Sequence, residues 1–500
     1  MNPSQSSGRS FGARPCRGAV DARAHARHAM PMRFALLAAA AAATLLAIPA
    51  LAEPAAPPVA PEIKAREILA RSVAFKSTAS QKETPQLVAY LAGEFRAAGV
   101  PEDAITILPV KDTAAMVVRI AGRDRSRRPI LFSAHLDVVE ANPADWARDP
   151  FTLIEEGGFL FGRGSLDDKA GVAQLATLII RLARERLVPA RDLVFAFIGD
   201  EETTMETTRL LAGARRDLIE AEFALNADSG GGLLDEATGK PVIYYIQGGE
   251  KTYSDFILTV TNPGGHSSAP RADNAIYTLA AALKRIEAHR FPVMSNALTL
   301  STMRAEGALR TDEVGRAMAD FAASPVDGPA AERLSREPSL VGQLRTTCVA
   351  TMVLAGHAPN ALPQSASANV NCRIWPGVGV EATRRELERI VADPAVAIRA
   401  ETAGSIESPA SAPRADVEAA VRRALKATWG DIPIAYEQSN GATDGSHYRA
   451  AGIPTYGVTL LFMKDSDQFA HGLNERVPVE SFDRATRGWW ELVRALADPR

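Results

Sequence analysis

The sequence predicts an α/β fold: a mostly parallel central sheet flanked by helices, interrupted by an inserted α+β module. Three observations carry this. Short continuous apolar runs (PILFSAHLDVV, DLVFAFIGDEE and FALNADSGG) alternate with amphipathic helices, the pattern of a sheet buried on both faces. Each run ends in polar residues, and open α/β sheets bind ligands beyond the carboxyl ends of their strands. Near Gln247 the pattern changes to alternating strands, and from about Ser408 the α/β style resumes.

The elements follow in order. Residues 1–31 are rich in Arg, Ser, Gly and Ala without periodicity, which reads as disorder or as a start placed too early, with Met30 or Met32 as the second start. From Met32, Arg33 supplies a positive region, Phe34–Ile48 an apolar core and Ala50-Leu51-Ala52 a small-x-small cleavage site. This is the pattern of a secretory signal peptide; a membrane anchor is the other reading, against which stand its shortness and Pro49. Residues 53–61 form a Pro/Ala linker. Thr84 and Pro85 start a helix with Leu87, Val88, Leu91 and Phe95 on one face, and Gly99 closes it. A second helix runs from about Asp168 to Glu185, between the first two apolar runs, with Leu175, Leu178, Ile179 and Leu182 inward. In the inserted module, KTYSDFILTVTN, RTTCVATMVLAG and SANVNCRIWPG alternate as half-exposed antiparallel strands, with helices over Asn274–Ala288 and Glu381–Ala392. The last part predicts a helix over Ala415–Thr428, a strand PTYGVTLLF and a helix over Phe482–Leu496.

Composition narrows the function classes. Lys+Arg 56 against Asp+Glu 59 gives a net charge of -3, so no global field favours nucleic acid or an anionic membrane. With 3 cysteines and 8 histidines, a zinc-finger array is excluded and any metal site leans on carboxylates. After signal cleavage the chain predicts no membrane span, and the product is exported, periplasmic or secreted. Cys348 and Cys372 flank a hairpin; a disulfide and two buried thiols both fit, and export allows the former.

Five potential metal ligands end apolar strands or open loops: His135, Asp167, Glu202, Asp228 and His471. Imidazoles with carboxylates suit zinc, cobalt or manganese. The set exceeds one tetrahedral ion and suffices for two if one carboxylate bridges. Asp137 points the same way as His135 along an extended strand and can fix its tautomer. Glu201 sits beside Glu202 past a strand end, where one side chain can bind metal and the other act as general base. His266, in NPGGHSSAP, can donate to a developing oxyanion. Asn360 and Arg373 lie in HAPNALPQSASANVNCRIWPG, and an arginine there suits a substrate carboxylate.

These motifs, in this order, resemble the M20 zinc metallopeptidases, which include glutamate carboxypeptidase, aminoacylase and succinyl-diaminopimelate desuccinylase. The resemblance runs from about Glu62 to Leu496, through SAHLDVV, GRGSLDDKAG, GDEE, NADSGG, GGHSSAP, GIPTYG and HGLNE. It implies a catalytic metallopeptidase domain over 62–249 and 407–500, and a lid or dimerisation domain over 250–406. It implies two Zn2+ with Asp167 as the bridge, a cis Asp167–Asp168 peptide, Glu201 as general base, Asp137 orienting His135, and His266 on the scissile carbonyl. Asn360 and Arg373 would bind substrate. The substrate would be a small peptide or an N-acyl amino acid, and the assembly a homodimer. An aminopeptidase and a non-catalytic peptide-binding protein are the rival readings. Residues 291–345 form a long extra segment within the lid, and TDGSHYR stands where many relatives carry an arginine close to the Asp.

Overall fold

The computed structural model describes residues 60–401 and 406–497. The segment 1–52 expected to hold a signal peptide, and nearly all of the expected linker 53–61, lie outside the described residues. Among the described residues the large sheet has ten strands. Its centre is the strands Ile130–His135, Leu193–Ile198 and Phe223–Asn226, whose residues are all buried. They pair in parallel, with Ile130–His135 between the other two. Val/Ile/Leu/Phe-rich runs without polar alternation have no face to give to water, so helices cover both sides. On one side lie the helices Pro61–Ala74, Thr84–Ala97, Lys169–Arg184, Ala415–Thr428 and Val479–Ala497, around a core containing Phe132, Phe195 and Trp489. On the other, Leu211, Ile219, Tyr448 and Ile453 pack on Leu131 and Val194. Among the described residues no helix is long and apolar enough to cross a membrane.

The helix starting at Thr84 takes Glu83 as its N-cap residue, one position earlier than the sequence suggested, with no side-chain cap bond. The run PTYGVTLLF does not form one strand. It divides into Thr455–Gly457 and Phe462–Met463, with Leu460 at a positive φ of 57° between them.

A smaller antiparallel sheet pairs Thr347–Ala355, Ser365–Ile374, Thr252–Thr261 and Val396–Glu401 in that order. The helices Ala275–Ala288 and Val380–Val391 share its core with Phe256, Leu258 and Val370. Cys348 lies directly across from Cys372, and the two form a disulfide. The segment 291–345 departs from its expected place within the lid. Its helices Ala297–Leu309, Glu313–Ala323, Pro329–Leu334 and Pro338–Val341 have a core of their own around Met318 and Phe321. The first of them docks on the large sheet: Leu298 joins that core, Thr302 Oγ1 donates to the Tyr436 carbonyl at 3.0 Å, and Ser301 Oγ accepts from Tyr436 N at 2.9 Å. Apolar faces on both sides of this helix dictate the return.

Lys251 sits where the chain leaves the large sheet for the small one, buried, with Nζ donating to the Arg345 carbonyl at 2.8 Å. Burial, with Arg373 adding to it, lowers its pKa to about 7. The unfolded chain binds that proton up to the ordinary lysine range, so the penalty on folding is complete below pH 7 and fades as pH rises toward 10. Lys251→Met is therefore expected to stabilise the protein more at pH 6 than at pH 9, by about 2–3 kcal/mol, in paired urea titrations.

Candidate metal centre

Parallel strands bring their carboxyl ends to one edge, and the candidate ligands follow from that. His135 is the last residue of its strand; Glu201 and Glu202 come just after Leu193–Ile198, and Asp228 two residues after Phe223–Asn226. Asp167 precedes the helix Lys169–Arg184, whose N-cap is Asp168. Asp168 Oδ1 accepts from Gly171 N at 3.2 Å and Oδ2 from His135 N at 3.3 Å, which ties the helix start to the strand end. The Asp167–Asp168 peptide is cis.

The donors converge. His135 Nε2 lies 2.8 Å from Asp167 Oδ1 and 3.6 Å from Asp228 Oδ1. His471 Nε2 lies 3.1 Å from Asp167 Oδ2 and 2.8 Å from Glu202 Oε1. Three groups result, His135–Asp167–Asp228, Asp167–Glu202–His471 and His135–Glu201–Glu202, and Asp167 belongs to the first two through different oxygens. The first imidazole is buried, whereas His471 has 54% of its side chain exposed and stands at the rim.

The electrostatics fit a cation. Burial would raise the Asp167 carboxyl, but hydrogen bonds from His135 and His471 hold it well below the usual carboxylate range. Burial pushes Asp228 up to about 7. The hydrogen bonds to Asp167 and Glu202 push His471 up to about 10. Burial alone would lower His135; the Asp228 charge and the hydrogen bonds to Asp137 and Asp167 raise it above its ordinary value. Both rings are pulled toward the charged form because the surrounding carboxylates require positive charge, which divalent ions supply. Oxygen and imidazole donors without thiolate suit zinc, cobalt or manganese.

Asp137 does more than the sequence indicated. Its backbone oxygen lies 3.0 Å from His135 Nδ1, while Oδ1 and Oδ2 accept from the Glu201 and Glu202 amides, each at 3.0 Å. One carboxylate thus aligns the acidic turn beneath the ring. The Glu201 carboxyl is raised well above its ordinary value by burial, with Asp228, Asp444 and Glu202 adding to it.

Two further buried acids, Glu475 and Asp444, were given no role by the sequence. Glu475 is fully buried; Oε1 accepts from the Leu166 and Asp167 amides at 2.9 and 3.0 Å, and Oε2 takes Gly164 N at 3.0 Å and Arg163 Nη1 at 2.6 Å. Gly164 has a φ of +80°, and a Cβ there would lie 2.6 Å from Val138, so the loop closes only on glycine. The only sequence signal for Glu475 was its place in HGLNER. Asp444, pushed up to about 8 by burial, accepts from Thr208 Oγ1.

The remaining predicted residues lie apart from this cluster. His266 is exposed, in a two-residue strand opposite Ala361, with Nδ1 2.7 Å from Ser268 Oγ. Asn360 is exposed beside it, its carbonyl accepting from Ser267 N at 3.1 Å. Arg373 packs over the Tyr253 ring at 4.8 Å and donates from Nη1 to the Asn440 carbonyl at 3.3 Å, reaching from the small sheet to the turn before the 444–450 helix.

The sequence profile of Peptidase family M20/M25/M40 matches residues 131–495. The chain is 29% identical over 382 residues to the N-fatty-acyl-amino acid synthase/hydrolase PM20D1 of Homo sapiens, covering 75% of each. It is 27% identical over 393 residues to the probable carboxypeptidase S-like 2 of Dictyostelium discoideum, covering 76% of this chain and 74% of the other. Among solved structures, it superposes on the M20 family metallo-carboxypeptidase Sso-CP2 from Sulfolobus solfataricus with a TM-score of 0.66 at 18% identity, covering 87% of this chain and 99% of that one. With the family match spanning nearly three-quarters of its length, the protein is an enzyme of peptidase family M20/M25/M40.

Proposed function

We propose that the protein is a two-metal hydrolase that cleaves the amide bond of small peptides or N-acyl amino acids, in the manner of a carboxypeptidase or dipeptidase. The observation that carries this is the Asp167 carboxylate, one oxygen at His135 and the other at His471. His135, Asp167 and Asp228 would hold one ion, and Asp167, Glu202 and His471 the other; zinc is the first choice, with cobalt or manganese next. Such ions lower the pKa of a coordinated water and polarise the carbonyl. Glu201 would take the proton of the attacking water and deliver it to the leaving amine. Asp137 would keep His135 oriented and the Glu201 backbone in place. His266, from this chain or a partner copy, would donate to the carbonyl oxygen after closure, and Asn360 and Arg373 would bind the free carboxylate of the product amino acid. The Arg373–Asn440 contact supports that last role, since it joins the two polar edges that would face the carboxylate. The relatives named as an N-fatty-acyl-amino acid hydrolase and a carboxypeptidase support both substrate types, and deacylation of N-acyl amino acids is the second reading. The exposed outer strand Thr347–Ala355 supports a homodimer. The signal pattern at 32–52 and the disulfide support export to the periplasm or beyond.

The test is metal removal. Exhaustive chelation is expected to abolish amide hydrolysis, with recovery saturating near two equivalents of added Zn2+ per chain. Full activity in chelated protein shown metal-free by elemental analysis would refute the reading.

A further inference from the structure

A cavity of about 330 Å3 opens beside Asp167 and Asp228. That volume suits a small ligand group. Gly230 to Gly232 form one wall, and Leu233, Leu461 and Met463 give it apolar sides. Its far end carries Tyr245, Glu437 and Asp465, and no lysine, arginine or histidine is among the described residues lining it. Behind Tyr245 stands a third acid: the phenol donates to Glu306 Oε1 at 2.9 Å. The Glu437 carboxyl has neither a hydrogen-bond nor an ion-pair partner among the described residues, and burial with the Glu306 charge raises it to about 7. The basic groups nearest in the chain are engaged elsewhere. Lys464 Nζ donates to the Glu236 carbonyl at 2.9 Å, and Arg310 is held by both oxygens of Asp312.

We propose that this cavity receives the acyl half of the substrate and selects an acyl chain ending in a protonated amine, which Glu437 accepts. The proposal rests on the amide-hydrolase reading above. The Glu437 carboxyl is partly exposed, so an incoming ammonium gains a charge-assisted hydrogen bond there, whereas a plain hydrocarbon chain would displace water from it and replace none of its hydrogen bonds. The same acids repel a free carboxylate, so the amino-acid half belongs on the other side, at Arg373. The register gives the length. Asn226 pairs with Gly457, Gly457 with Gln247, and Gln247 with Glu437. These three strand spacings set the Glu437 backbone roughly 14 Å across the sheet from Asn226, two residues before Asp228. Side chains stand off the sheet face rather than along that line, so nearly the whole span is open to a chain the length of a 6-aminohexanoyl group.

The experiment compares 6-aminohexanoyl-phenylalanine with hexanoyl-phenylalanine on the zinc-loaded enzyme and on Glu437→Gln, reading released phenylalanine. The wild type is expected to favour the amine probe about tenfold or more in kcat/KM, as a charge-assisted hydrogen bond in a shielded site would give. Glu437→Gln is expected to bring that ratio near one, by losing on the amine probe and gaining on the neutral one. Equal use of both probes by the wild type, or equal losses in the variant, overturns the proposal. The wild-type ratio needs no variant, so a misfolded Glu437→Gln does not rescue it. Cleavage of neither probe by zinc-loaded wild type would instead refute the amide-hydrolase reading, a result distinct from cleavage without preference.

Discussion

Glu201→Gln is expected to lower kcat by about two to four powers of ten while metal content and melting temperature stay at wild-type values. The substitution keeps the shape and removes the proton acceptor. The backbone amide of residue 201 still donates to Asp137, so the acidic turn stays where it is. Glu202, whose carboxylate stands 2.8 Å from His471, is untouched. Stopped assays on an amide substrate, beside elemental analysis, separate the two effects. Near-normal turnover at full metal content would remove Glu201 from the chemistry; loss of metal would make it a ligand instead.

The second large effect concerns stability. Glu475→Ala takes one carboxylate away from three backbone amides and from Arg163, which is itself buried. Breaking a buried pair on one side leaves the other charge without compensation, at a cost of about 3–5 kcal/mol. The loop from Gly164 to Asp167 loses its anchor at the same time, and Asp167 is the carboxylate shared by two of the donor groups. Denaturant titration should show the loss in the apo protein, and zinc affinity should fall with it. A variant that unfolds with the wild type and binds zinc equally well would show that Glu475 positions nothing.

Most of this site was legible because parallel strands deliver side chains to a single edge. His135, Glu201, Glu202 and Asp228 each follow an apolar run, and the fold turns that sequence rule into proximity. Asp167 and His471 were legible from chemistry alone, as donors in glycine-containing loops. Glu475 was not, because what it does depends on two loops some three hundred residues apart meeting, and a lone glutamate in a polar stretch reads as solvated. The segment 291–345 was assigned to the lid for a similar reason. Periodicity shows that a helix has an apolar face but not which sheet receives it, and Leu298 and Thr302 choose the large one. The strand PTYGVTLLF broke because its composition is uniform while its backbone turns at Leu460.

The return of residues 291–345 to the large sheet means that, among the described residues, the chain passes between the two sheets near Lys251, near Phe291 and near Arg345. These passages are bonded in series, Lys251 to the Arg345 carbonyl and Arg345 Nη1 to the Phe291 carbonyl at 3.0 Å. A flap on two strands could swing in many directions. Here the small sheet is tied down at three linked crossings, with Arg373 adding a bond to the turn at Asn440, so it has less freedom than such a flap.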